Sequence, residues 1–190
     1  MNAVMYGGGN IGRGFIGALL SQSGYRVTFI DVAEPVVKHL QEKGCYPIRY
    51  VESTGYEDVL VENVTAVNGN DTEAASDVIA QCDIMATAVG VNILPRIAPV
   101  IAKGMIAGME KTGKPLVTVV AVGSALNVPQ GNAQLLSWSP GQAGGTALTE
   151  ILFGKVSPSG KLPLTFYHNE ALAEMPAFED YALTNKTYRY

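Results

Sequence analysis

The stretch that most constrains this chain is Tyr6-Gly7-Gly8-Gly9-Asn10-Ile11-Gly12-Arg13-Gly14-Phe15. Ala3-Val4-Met5-Tyr6 reads as a strand leading into it, and Ile11, Phe15, Ile16, Leu19 and Leu20 follow at helical spacing. Gly7, Gly9 and Gly12 occupy the three glycines of G-x-G-x-x-G. The first permits a sharp turn out of the strand, the second lets a diphosphate approach the backbone, and the third allows helix and strand to pack closely. The diphosphate would rest on the free N–H groups of the helix start.

Glycine-rich turns are common, and this chain holds 21 glycines, so the motif needs its context. A second strand, Arg26 to Ile30, ends in Asp31, at the distance where an acid takes the ribose hydroxyls of a dinucleotide. A carboxylate there accepts from a 2′-OH and repels a 2′-phosphate, which predicts NAD rather than NADP. The plainer alternative is a glycine turn in an α/β sheet, with Asp31 an ordinary strand-end or cap acid.

The rest of the chain fits alternating strands and helices. Glu34 to Gly44 reads as a helix, Tyr46 to Val51 and Asp58 to Val61 as an inserted hairpin, and Val64 to Val67 as a strand. A helix is expected from Asp71 to about Gln81. Asp83 to Gly90 then reads as a buried strand whose closing turn, Thr87-Ala88-Val89-Gly90, faces a cofactor, because ligands lie beyond the carboxyl ends of parallel strands. A long helix spans Asn92 to about Lys111. The β-branched run Leu116 to Val122 predicts a central parallel strand. Gln134 to Trp138 reads as a short strand and Gly145 to Phe153 as a helix, and from Lys155 the pattern dissolves into an extended, proline-rich segment with Tyr181, Tyr188 and Tyr190 in its tail. The fold class is therefore α/β, a Rossmann-like, doubly wound, mostly parallel sheet.

Composition narrows the partners. Hydrophobic residues make up 47% and charged residues 16%, as in a globular chain. A formal charge of −4 with scattered basic residues predicts no nucleic-acid or membrane partner. Cys45 and Cys82 lie in different elements without paired histidines, which predicts buried free thiols, no metal site and a cytoplasmic protein.

Residues 1 to about 104 resemble the N-terminal domain of the mannitol-1-phosphate 5-dehydrogenase family of polyol-specific long-chain dehydrogenases. Gly7 to Gly17, Thr28-Phe29-Ile30-Asp31-Val32, Thr87-Ala88-Val89-Gly90 and Arg96 to Gly104 carry that likeness. It implies hydride transfer between NAD and a hexitol phosphate, with NAD contacts at Gly7, Gly9, Asn10, Ile11, Asp31 and the Thr87 to Gly90 turn. The family's catalytic lysine and sugar-phosphate residues belong to a later helical domain, into which this sequence does not continue.

From about Met109 the chain resembles the C-terminal α/β sandwich domain of glycoside hydrolase family 3. Thr112-Gly113-Lys114-Pro115, Trp138 to Ala147, Ile151-Leu152-Phe153-Gly154, Ser157 to Phe166 and Thr187 to Tyr190 carry that resemblance, with Ala143 where the family usually has Glu. Hydrolysis of a glycoside needs two carboxyls about 5 to 9 Å apart. Glu150, Glu170, Glu174, Glu179 and Asp180 match no catalytic position of that family. His168 has no nucleophile partner, and Ser124 and Ser139 lack a G-x-S-x-G setting.

Two domains are thus expected, 1–108 as an NAD-binding half and 109–190 as a partial glycosidase domain. The resemblances imply a chimera, engineered or a natural gene fusion, joined within Lys103 to Glu110. Both parents have a helix followed by a hydrophobic parallel strand there, so the sheet is expected to continue across the join. Three functions follow: a cofactor-binding module without catalysis, a recombined fold with no activity, and a glycosidase relative. Faces uncovered by missing parental domains predict a homo-oligomer.

Overall fold

The computed structural model describes residues 1–121, 123, 131–163, 166–167 and 169–176. Two compact units divide the chain, Met1–Lys114 and Pro115–Tyr190.

In the first unit, β1 (Asn2–Tyr6) runs through the glycine loop into a π-helical segment, Gly12–Gly17, that continues as α1 (Ala18–Gln22). There follow β2 (Arg26–Asp31), α2 (Glu34–Lys43), the hairpin β3 (Tyr46–Glu52) and β4 (Gly55–Val61), β5 (Val64–Asn68), α3 (Thr72–Ala80), β6 (Ile84–Thr87), a 3-10 turn (Val91–Ile93) and α4 (Leu94–Thr112). The parallel strands stand in the order β5-β2-β1-β6. Counted along the parallel strands alone this is 3-2-1-4, the first four positions of a doubly wound dinucleotide fold, and the order reverses between β1 and β6.

Period-2 alternation in β1 explains why helices cover both faces. Ala3 and Met5 point to one side, into a core with Ala18, Phe29, Val37, Leu40 and Ala66. Val4 and Tyr6 point to the other, against Ile30, Ala75, Ile79 and Ile97. On that second face α3 and α4 cross closely. A Cβ on Gly104 would lie 2.6 Å from the Cβ of Ile79, so the residue must be small. The Asp71 carboxylate accepts from the Ala74 N–H at 3.0 Å and caps α3, as the acid-rich start predicts.

The hairpin forms its own two-stranded sheet. Its base is buried, with Tyr46 paired to Val61, and its tip is exposed. The Asp83 to Gly90 run differs from its reading as a buried strand. β6 is hydrogen-bonded on one side only among the described residues, and Ile84 is 43% exposed.

In the second unit, β7 (Val117–Val120) pairs in parallel with β8 (Ala133–Leu136), followed by α5 (Gly144–Leu152) and α6 (Asn169–Ala173). The short helix α6 lies where an extended segment is expected. The described strands form three sheets, each within one of the two units. Each of the four residues of β7 is paired with its counterpart in β8. β7, within the run read as a central strand, alternates exposed and half-buried residues. Trp138 adopts φ +48° and its ring packs edge-on against Phe166, at the rim of a cleft of about 860 Å³ lined by Leu135, Ile151, Val156 and Leu162.

Ser124, His168, Glu179, Asp180, Tyr181, Tyr188 and Tyr190 lie outside the described residues. Among the described residues no helix is long and apolar enough to cross a membrane, and no cluster of His, Cys, Asp and Glu is arranged to hold a metal ion. Cys45 and Cys82 are free but half-buried rather than buried. Burial, with the Asp83 charge beside it, pushes the Cys82 thiol up to about 11.

Candidate dinucleotide site

The glycine loop sits where the strand order reverses, between the carboxyl ends of β1 and β6. Gly7 leaves β1 with φ +99°, and its N–H donates to the Ile30 carbonyl at 2.8 Å. A side chain there is doubly excluded. The backbone conformation disfavours it, and a Cβ would lie 2.6 Å from the Ala88 carbonyl oxygen and 2.9 Å from Val89 Cγ1. The same contact shows how the Thr87 to Gly90 turn reaches the loop. Tyr6 is in register with Thr87, and the Ala88 N–H donates to the Tyr6 carbonyl at 2.9 Å.

Gly12 answers to a harder limit: a Cβ would stand 1.9 Å from the Gly7 carbonyl oxygen. Five residues on, a Cβ on Gly17 would meet Phe29 Cζ at 2.5 Å. In a π-helix, bonded i to i+5, this spacing stacks Gly12 and Gly17 on one side, and both are buried. That winding also changes the expected apolar face. Ile16 and Leu20 pack on the core, while Ile11, Phe15 and Leu19 are 64%, 60% and 45% exposed.

Gly9 is the open member of the motif. It is exposed, and nothing lies within 4 Å of where its Cβ would be. The Arg13 N–H donates to the Gly9 carbonyl at 2.9 Å, which places the amides of Asn10, Ile11 and Gly12 in the first turn, where helix N–H groups lack intrahelical partners. Gly9 itself puts no side chain in the way of an anion approaching these amides.

Asp31, at the end of β2, reaches the loop directly. Its Oδ2 accepts from the Gly8 N–H at 2.6 Å and its Oδ1 from the Ala33 N–H at 2.8 Å. An ionised carboxylate offers about four acceptor positions, so about two remain for hydroxyl donors. Asp31, Gly7 and the Thr87 to Val89 segment, far apart in sequence, thus meet at one end of the sheet, with Asn10 and Ile11 exposed beside them and Gly90 closing the turn, its carbonyl accepting from the Ile93 N–H at 2.8 Å.

Two residues escaped the sequence reading. Arg13 donates through Nε to the Gly8 carbonyl. Tyr46, read only as the start of a hairpin strand, donates its hydroxyl to the Arg13 carbonyl at 2.7 Å. Burial pushes the Tyr46 phenol up to about 12, with Arg13 pulling the other way and Tyr50 adding to the rise. No local signal marks Tyr46, because its partner lies 33 residues earlier.

Comparison with known proteins agrees with this geometry. Residues 1–134 match the mannitol dehydrogenase Rossmann domain, and residues 98–190 match the glycosyl hydrolase family 3 C-terminal domain. The first match extends well past the boundary near residue 104 drawn from motifs, and the two overlap over 98–134. Among similar proteins, the mannitol-1-phosphate 5-dehydrogenase of Enterococcus faecalis is 42% identical over 122 residues, 64% of this chain and 32% of the relative. That of Brevibacillus brevis is 45% identical over 116 residues, 61% of this chain and 30% of the relative. An Exiguobacterium protein of the same name is 33% identical over 184 residues, 96% of this chain and 46% of the relative. The chain spans about a third to a half of the length of these relatives. With a parallel sheet in dinucleotide-fold order, a glycine loop at its switch point and a family match over residues 1–134, the chain belongs to the mannitol dehydrogenase Rossmann-domain family.

Proposed function

We propose that residues 1–108 form an NAD-binding module, contacting the cofactor through Gly7, Gly9, Asn10, Ile11, Gly12, Asp31 and the Thr87-Ala88-Val89-Gly90 turn. The observation that carries this reading is the bond from the Gly8 N–H to Asp31 Oδ2. It holds a carboxylate at the edge of an open anion-binding turn, where it can accept from the 2′- and 3′-hydroxyls of a ribose. A 2′-phosphate would bring negative charge against it, so NAD is favoured over NADP. The open space at Gly9 and the first-turn amides suit the diphosphate. When bound, NAD would supply a hydride acceptor, and this chain's residues would bind and orient it.

The relatives are named for oxidation at a polyol phosphate, and the chain spans a third to a half of their length. We read the stretch as a binding half, catalytically incomplete by itself, joined near residues 98–134 to part of a glycosidase-type domain by recombination or gene fusion. The second match favours one alternative, a glycosidase relative. Against it, Glu170 and Glu174 are exposed, and of the acids among the described residues Glu150 alone, half-buried, lines the cleft, whereas a retaining or inverting pair needs two facing carboxyls.

Calorimetric titration tests the proposal. NAD should bind the folded chain more tightly than NADP, and Asp31→Ala should weaken NAD about tenfold or more while narrowing the preference over NADP. Equal binding of both dinucleotides by wild type and Asp31→Ala would remove the role given to this carboxylate.

A further inference from the structure

Generic glycine loops hold a diphosphate with backbone amides alone. This one carries a cation. Arg13 lies in the π-helical segment directly after Gly12 and is half-buried rather than splayed into solvent. Its Nε donates to the Gly8 carbonyl. Gly8 is thereby held from two sides, through its N–H by Asp31 and through its C=O by Arg13. Among the described residues the terminal nitrogens of the guanidinium have no hydrogen-bond or ion-pair partner. They are charged donors left free next to an open turn lined with amides.

The backbone of Arg13 is fixed as firmly as its side chain. Its N–H donates to the Gly9 carbonyl and its C=O accepts the Tyr46 hydroxyl at 2.7 Å. A side-chain hydroxyl that takes up a helix carbonyl displaces the ordinary i to i+4 ladder, one of the recognised causes of irregular helix winding. The inserted hairpin thus has a task at the loop, since Tyr46 at its buried base holds the segment that presents Arg13.

We propose that Arg13, positioned by Tyr46, is a cationic member of the phosphate site and takes a diphosphate oxygen with its terminal nitrogens while Nε remains on the Gly8 carbonyl. This rests on the dinucleotide reading above and adds a side chain to it. The planar guanidinium suits two simultaneous tasks, one nitrogen on a carbonyl and the others on an oxyanion, which an ammonium cannot divide in the same geometry.

The test compares ligands with and without the diphosphate on the full chain. NAD, ADP-ribose and adenosine are titrated into wild type, Arg13→Gln, Arg13→Lys and Tyr46→Phe, with circular dichroism and melting to verify folding. Arg13→Gln retains a donor for the Gly8 carbonyl and removes the charge. It should weaken NAD and ADP-ribose about 10- to 100-fold, flatten the salt dependence of their binding, and leave adenosine unchanged. Arg13→Lys should fall between, and Tyr46→Phe should weaken the diphosphate ligands by about threefold with adenosine again unmoved. Unchanged NAD binding in folded Arg13→Gln, or an equal loss for adenosine, would overturn the assignment. Absence of NAD binding by folded wild type would sink the dinucleotide reading together with this one, whereas wild-type binding that survives Arg13→Gln sinks this one alone.

Discussion

β1 and β7 are both apolar strands in parallel ladders, yet they end in different environments. In β1, Ala3, Val4 and Met5 are 1%, 1% and 0% exposed. In β7, Val117 and Val119 are 44% and 40% exposed, although Leu116 to Val122 is the most β-branched run of the chain. The difference lies in the neighbours. β1 has β2 on one side and β6 on the other, with helices over both faces. Among the described residues, β7 is hydrogen-bonded to β8 and to no second strand. Strand propensity thus sets where a strand forms, and burial depends on what surrounds it.

The hardest push on this comparison is truncation of one apolar strand residue from each unit. Phe29 is fully buried, makes an edge-on contact with Tyr46, and lies against Gly17 of the glycine-loop helix. Phe29→Ala should destabilise the chain by about 3–5 kcal/mol and abolish NAD binding in calorimetry. Val119→Ala should cost less than about 1 kcal/mol in urea unfolding, because the residue is exposed already in the folded chain. A loss at Val119 as large as that at Phe29 would mean that β7 is buried in solution, and the contrast between the units would fail.

The first unit was largely legible because its signals are local. Glycine spacing, an acid at the end of β2 and an alternating strand each occupy a few consecutive residues, and together they place Gly7, Asp31 and the Thr87 to Gly90 turn at one end of the sheet. What stayed hidden depends on distant partners. The π-helical segment carries a bond from the Tyr46 hydroxyl to the Arg13 carbonyl, 33 residues away, and an α-helical period applied to Ile11, Phe15 and Leu19 assigns them to the core although they are exposed. In the second unit, Leu116 to Val122 reads as central because the sequence shows its apolarity and not its neighbours. The motif boundary near residue 104 fell short of the family match, which runs to 134, because the recognisable motifs stop before the matched sequence does.

Tyr46 gives a sharper, intermediate test, since it ties the hairpin to the glycine loop by a group that titrates. Its folded pKa, about 12, lies above the ordinary value of 10.0, mainly through burial. The folded state holds the phenolic proton more tightly than the unfolded state. The corresponding stability is present in full below pH 10 and is lost as pH rises from about 10 through about 12, by roughly 2–3 kcal/mol. Urea unfolding at pH 8 and at pH 11.5 should show wild type losing more stability than Tyr46→Phe. Parallel losses in the two proteins would mean that the phenol is not buried, and that the brace on the loop is looser than its 2.7 Å bond indicates.

The smallest effect separates the units at the level of a single helix. α3 begins at Asp71, whose backbone is near-extended at φ −84°, ψ 89° and whose carboxylate caps the Ala74 N–H. α5 begins at Ala143, where no side-chain cap is possible and the backbone already turns at φ −87°, ψ 2°. Asp71→Ala should therefore destabilise by about 1 kcal/mol in urea unfolding. Restoring a capping side chain at the other helix should return much less, because a cap needs a near-extended backbone to bring its oxygen back over the first turn. If Ala143→Asp stabilises the chain by as much as Asp71→Ala weakens it, the start of α5 relaxes to a cap geometry in solution, and the two helices differ only by one side chain rather than by the backbone that presents it.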